Sequence, residues 1–208
     1  MSTHRMPATL GRDTRRFLAA ACRTPREIGA IAPSGRHLAA CAAALIRPGH
    51  GQTVIELGPG GGVITDALHQ RLTGADTLLA IERNQTMAAH LMATRPWLDV
   101  VEGDAADLSA ILAANGHRRA DLIVSALPWS VIPAADQHAL LTAITSVLNP
   151  GGVFATVLTL PALPLPIIRQ LRRRLSGTFA TVTHQTVWRN VPPARLYVCT
   201  APTSRDMP

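Results

Sequence analysis

A chain of 208 residues with 20 basic and 13 acidic side chains, a formal charge of +7 and 47% hydrophobic residues has the size of one domain with one sizeable core. Seven residues in all are Phe, Trp or Tyr, so that core is expected to be Ala, Leu, Val and Ile. Three cysteines without a C-x-x-C spacing, eight histidines with no two three or four apart, and no leader-like start argue against a disulfide scaffold or a metal centre and for reduced thiols in the cytoplasm.

In chain order, the first predicted element is a basic amphipathic helix ending near Pro25. It carries Arg12, Arg15, Arg16 and Arg23 on one side and Phe17, Leu18, Ala21 and Cys22 on the other. Such a helix either packs its apolar side on the domain or lies on an anionic membrane, where Arg12, Arg15, Arg16 and Phe17 would make the contact. An Ala-rich helix follows to Leu45 with Ser34 as its expected N-cap, so residues 1–50 read as a basic helical cap ahead of a domain at 51–208. Strand Val54–Leu57 then runs into Gly58-Pro59-Gly60-Gly61-Gly62 and a helix from Thr65. Leu78–Ile81 ends in Glu82, and a helix spans Asn84–Thr94. Val100-Val101 leads to Asp104-Ala105, and Leu122–Val124 leads to Ser125-Ala126-Leu127-Pro128-Trp129. After a helix over Ala134–Leu148 and the turn Asn149–Gly152, strand Val153–Leu158 meets Pro161, Pro164 and Pro166, which make the uncharged run a buried strand and turn rather than a membrane span. Ile167–Leu175 is again basic and amphipathic, and strands are expected near Phe179–Thr183 and Arg195–Cys199. The alternation gives an α/β fold whose mostly parallel sheet is covered on both faces.

Glycines after the first strand allow positive φ and the close approach of a ligand, although a bare G-x-G-x-G also serves ordinary tight turns. Context adds weight. Four strands each end in polar groups, and in a parallel sheet those ends line one crevice, with Glu82 where a carboxylate meets ribose hydroxyls. The sixth position of the motif begun at Gly58 is Val63, unlike the G-x-G-x-x-G of dinucleotide enzymes. Charge is uneven: residues 1–50 sum to +6, 51–160 to −5 and 161–208 to +6, an acidic core between two basic ends.

The order Glu56 with Gly58, then Glu82, then Asp104, then a proline loop resembles the class I S-adenosylmethionine-dependent methyltransferases. In that family the first acid and the glycine loop embrace the methionine part, the second acid binds the ribose and the third meets the adenine. Ser125-Ala126-Leu127-Pro128-Trp129 is similar to the Asn-Leu-Pro-Tyr loop of amino-group methyltransferases, including the ribosomal RNA adenine dimethylases, with Ala126 where that loop has Asn. Over most of the chain the sequence resembles the bacterial phospholipid N-methyltransferases, which methylate phosphatidylethanolamine stepwise. The resemblance rests on Phe17-Leu18, on Pro25–Arg36, on Glu56–Gly62, on Val124–Pro128 and on Asn190–Val198. Ala126 replaces the usual Gly of that family's loop, and Gly61 its usual Thr.

The resemblance implies a seven-stranded Rossmann-like fold with an N-terminal amphipathic helix. It also implies S-adenosylmethionine as methyl donor, S-adenosylhomocysteine as product, and a cofactor site of Glu56, Gly58, Gly60, Gly62, Glu82, Arg83, Asp104, Ala105, Ser125 and Leu127. The acceptor would meet Ile31, Ser34, Pro128, Trp129, Arg195 and Tyr197. Trp129 would offer a cation–π face to the methylated nitrogen and Arg195 a ligand for phosphate. Ser125 and Tyr197 are the side-chain candidates for a proton acceptor, since residues 125–129 contain no Asp, Glu or His. A monomer at the inner face of the membrane, acting on a phospholipid amine, is the leading expectation. A methyltransferase of a soluble small-molecule amine in the cytoplasm is the second, and a nucleic-acid methyltransferase, for which the chain carries no dedicated binding domain, is the third.

Overall fold

The computed structural model describes residues 34–47 and 49–201. The expected N-terminal amphipathic helix, with Arg12, Arg15, Arg16 and Phe17, and the expected acceptor residue Ile31 lie outside the described residues. Helix α1 is Arg36–Ala43; β1 is Thr53–Leu57, α2 Val63–His69, β2 Thr77–Glu82, α3 Gln85–Thr94 and β3 Asp99–Glu102. A 3₁₀ turn at Ala105–Asp107 opens α4, Leu108–Ala114, and β4 is Ala120–Ser125. Then come α5 Ala134–Val147, β5 Leu148–Thr159, a 3₁₀ turn Leu160–Ala162, α6 Pro166–Thr178, β6 Thr181–Val187 and β7 Ala194–Thr200.

The seven strands form one sheet in the order β3-β2-β1-β4-β5-β7-β6, parallel through β5 and antiparallel for the last two. Because β1 sits between β2 and β4, the chain reverses its direction of travel across the sheet there, and the crevice at that switch point is where such folds place ligands. One apolar layer joins Ile55, Leu57, Ile123 and Phe154 to Leu112, Leu140, Ile144, Ile168, Leu171 and Leu175 of α4, α5 and α6. The opposite layer joins Val54, Leu122, Val124 and Ala155 to Leu38 and Ala42 of α1 and Ile64 and Leu68 of α2.

Local chemistry explains most element ends. Asn84 caps α3 by accepting from the Met87 amide at 3.0 Å, and Pro166 starts α6, where a missing N–H costs nothing. Ser34 was the expected cap of α1. The cap position belongs instead to Gly35, whose amide donates to Asn190 Oδ1 at 2.7 Å. Asn149–Gly152, read as a turn, is the irregular start of β5, with a register shift opposite Ala120 and Gly151 at φ +72°.

Candidate active site

The carboxyl ends of β1, β2 and β3 are adjacent and bring Glu56, Glu82 and Asp104 to one edge. Glu56 is fully buried and neither carboxylate oxygen has a hydrogen-bond partner. Burial lifts its pKa from 4.5 to about 7; the Thr65 hydroxyl beside it works the other way, and Asp66 adds repulsion. Glu82 is tied on both sides: Oε1 accepts from the Asn84 amide at 2.9 Å and Oε2 faces the Gly60 amide at 3.4 Å. Asp104 accepts from the Ala106 amide at 3.0 Å and pairs with Arg83 at 3.5 Å. Ala105 lies buried next to it.

Three glycines of the loop, Gly58, Gly60 and Gly62, hold positive φ, so the loop turns as the sequence requires. A Cβ at Gly60 or Gly61 would meet nothing within 4 Å, whereas one at Gly58 would press Leu127 of the loop after β4 at 3.2 Å. The glycine loop and the acceptor loop therefore touch, and space remains over the turn. Arg95, which follows α3, fixes that turn: its guanidinium pairs with Asp66 through two contacts of 2.7 Å and donates to the Gly61 carbonyl at 3.2 Å. Sequence reading missed this clamp, because nothing local links residue 95 to residue 61.

A second arrangement crosses the middle of the sheet. Ser125, Thr156, Tyr197 and His184 are directly paired neighbours on β4, β5, β7 and β6, so their side chains form one row on the face covered by α5 and α6. Ser125, Thr156 and Tyr197 are buried. The Ser125 hydroxyl accepts from the Leu127 amide at 3.3 Å and so shapes the loop that follows. His184 stacks on Tyr197, and the Arg172 guanidinium lies 5.9 Å from the Tyr197 ring centre. Tyr197 Oη and Arg195 Nε have no hydrogen-bond partner although both are buried. Thr156 and His184 were not foreseen; the period-two pattern of each strand names their faces, but only the strand order makes them neighbours.

Trp129 is placed differently from expectation. It is 1% exposed, donates Nε1 to Thr156 Oγ1 at 2.7 Å and meets Phe154 edge-on, so it is a core aromatic with a satisfied N–H rather than a face offered to an acceptor. Pro128 beside it stays half-buried, as does Ser34. The two most family-specific segments of the sequence meet in space, since Asn190 also donates Nδ2 to the Pro192 carbonyl at 2.7 Å while holding Gly35.

These residues fit a ligand with a cationic end and neighbouring hydroxyls: an unsatisfied buried carboxylate, an open glycine turn and two further fixed carboxylates stand along one edge. Comparison with known proteins agrees. Residues 54–152 match the model of a family described as "Methyltransferase domain". The ornithine lipid N-methyltransferase of Singulisphaera acidiphila is 34% identical over 175 residues, which cover 83% of this chain and 88% of that one. Ribosomal RNA small subunit methyltransferase A of Rhodopseudomonas palustris is 37% identical over 91 residues, 40% of this chain and 29% of that enzyme. Among solved structures, the O-methyltransferase from Bacillus cereus in complex with SAH superposes with a TM-score of 0.67 at 13% identity, covering 94% of this chain and 93% of that one.

Proposed function

The chain belongs to the bacterial lipid N-methyltransferases of the class I S-adenosylmethionine-dependent family, and we propose that its acceptor is the amine of phosphatidylethanolamine or its partly methylated forms. S-adenosylmethionine supplies a methyl group on a cationic sulfur, and its site would be formed by Glu56, Gly58, Gly60, Gly62, Glu82, Arg83, Asp104, Ala105 and Leu127. Glu56 would meet positive charge with a buried carboxylate, and Glu82 and Asp104 would take the ligand's hydrogen-bond donors.

The observation that carries the acceptor reading is the unpartnered pair Arg195 Nε and Tyr197 Oη, next to a loop that touches the glycine turn. A buried guanidinium Nε–H and a buried phenol hydroxyl without partners cost free energy unless an acceptor arrives, and a phospholipid presents a phosphate a few atoms from its amine. Residues 137–201 contain six arginines and no acid, which favours the same charge. The amine must be unprotonated to attack, and the Ser125 hydroxyl, already engaged by its own loop, is better suited to positioning than to proton transfer. Catalysis would then come chiefly from proximity in a fixed loop.

The similarity to an ornithine lipid enzyme favours a second reading, in which a carboxylate replaces the phosphate beside the amine. Labelled methyl transfer to vesicles of phosphatidylethanolamine, vesicles of ornithine lipid, soluble amines and ribosomal RNA in parallel separates these. Incorporation into phosphatidylethanolamine is expected; label in the soluble amine or the RNA alone would refute a lipid acceptor.

A further inference from the structure

The β6–β7 turn places large apolar side chains in water. Trp188 is 72% exposed and Val191 84%, the two highest values among the exposed large apolar residues described. Across from them Leu165, 42% exposed, ends the connection between β5 and α6. Both connections leave the same end of the sheet. Thr159, the last residue of β5, pairs with Ala194, the first of β7, which pairs in turn with Val187, the last of β6. The Leu160 amide donates to the Pro193 carbonyl at 2.8 Å, joining the two directly. That end is also the carboxyl end of the parallel strands, where the candidate active site opens.

The tip is built to hold its shape. Asn190 is buried and uses its side chain on Gly35 and Pro192, so Val191 is presented from a braced turn. Arginine is frequent in the segments that flank it. Arg169, Arg172, Arg173 and Arg174 on α6, Arg189 in the turn and Arg195 on β7 are the charged residues of 137–201, and the acid before them in sequence is Asp136 in the first turn of α5. Exposed Trp and aliphatic residues within a field of arginines match the interfacial layer of an anionic bilayer, where indole sits among headgroups and arginine meets phosphate. A nucleic acid would accept the arginines and stack on the indole, but it offers Val191 and Leu165 no apolar partner.

We propose that residues 188–193, with Leu165, form a wedge that inserts into the headgroup layer of an anionic membrane and sets the mouth of the active site against it. The inference rests on the lipid-acceptor reading and adds the surface by which that acceptor is reached. The test uses the full chain with vesicles of phosphatidylcholine, with and without phosphatidylglycerol. In a Trp97→Phe background, where the core Trp129 is the other indole, emission should shift to the blue with the anionic vesicles, and the shift should vanish when Trp188→Phe is added. The pair Trp188→Ser and Val191→Ser should weaken vesicle partition about tenfold or more. It should keep cofactor affinity, the circular-dichroism spectrum and methylation of a monomeric short-chain lipid within about twofold. Trp188→Phe should restore most of the partition. Vesicle partition unchanged in the double variant, or a loss of RNA affinity in place of vesicle affinity, overturns the wedge. Normal partition by a wild-type protein that methylates no lipid would refute the acceptor reading while leaving the wedge in place.

Discussion

The two sides of the β1–β4 crevice differ in chemistry more than in fold. Toward β2 and β3 the edge carries Glu56, Glu82 and Asp104, each held by backbone amides, burial or Arg83. The strands β5, β6 and β7 and helix α6 carry arginines and no Asp or Glu, and two buried polar atoms there, Arg195 Nε and Tyr197 Oη, have no partner. The parallel strands thus supply an acidic seat in which Glu82 and Asp104 are held by protein groups while neither Glu56 oxygen has a hydrogen-bond partner. The antiparallel addition supplies a cationic one. If the acceptor carries a phosphate, as proposed, a site that also holds a cationic cofactor gains by keeping these charges apart, since like charge at either seat would repel its ligand.

Experiments can break that contrast. The largest effect is expected from Glu56, whose pKa stands near 7 in the folded protein against 4.5 ordinarily. The protonated carboxyl stabilises the ligand-free fold fully below pH 4.5, and that contribution is lost as pH rises toward about 7. Denaturant unfolding at pH 8 should therefore find Glu56→Gln more stable than the parent by on the order of 3 kcal/mol, with the gap closing toward pH 4.5. Equal stability at both values would mean the buried charge is already matched within the protein.

Next in size, Glu82→Ala removes the acceptor facing both the Gly60 and Asn84 amides. Calorimetry should show cofactor affinity falling at least about tenfold. Opposite it, Arg195→Gln should raise the KM for lipid about tenfold while cofactor affinity holds, because the two seats are separate. A parallel loss of both affinities would join what the charges divide. Arg95→Ala should loosen the glycine turn and weaken cofactor binding about threefold to fivefold, the smallest effect of the four, since the pair with Asp66 is partly open to water.

The acidic seat was legible in the sequence because each of its parts is local. A strand ends, an acid or a glycine follows, and parallel pairing alone aligns the ends. The cationic seat was legible in composition and in Arg195 and Tyr197, but not in the Ser125–Thr156–Tyr197–His184 row. That row exists because β7 enters between β5 and β6, an order that no spacing along the chain encodes. Trp129 went astray for a related reason. Its neighbour Pro128 suggested an exposed loop, yet Thr156 lies one strand away to accept the indole N–H and Phe154 to pack its ring. The contacts of Arg95 and Asn190 were invisible because their partners, Asp66 and Gly35, lie 29 and 155 residues away.

The position of β7 also bears on how the molecule is made. During synthesis β6 leaves the ribosome before β7, its neighbour in the sheet among the described residues, exists, and β5 waits with one edge bare. The Gly35 amide finds Asn190 only after 155 further residues have been added. The nascent protein therefore carries its acidic seat well before its cationic one, and truncation ahead of Ala194 should yield a chain that aggregates through the open β5 edge.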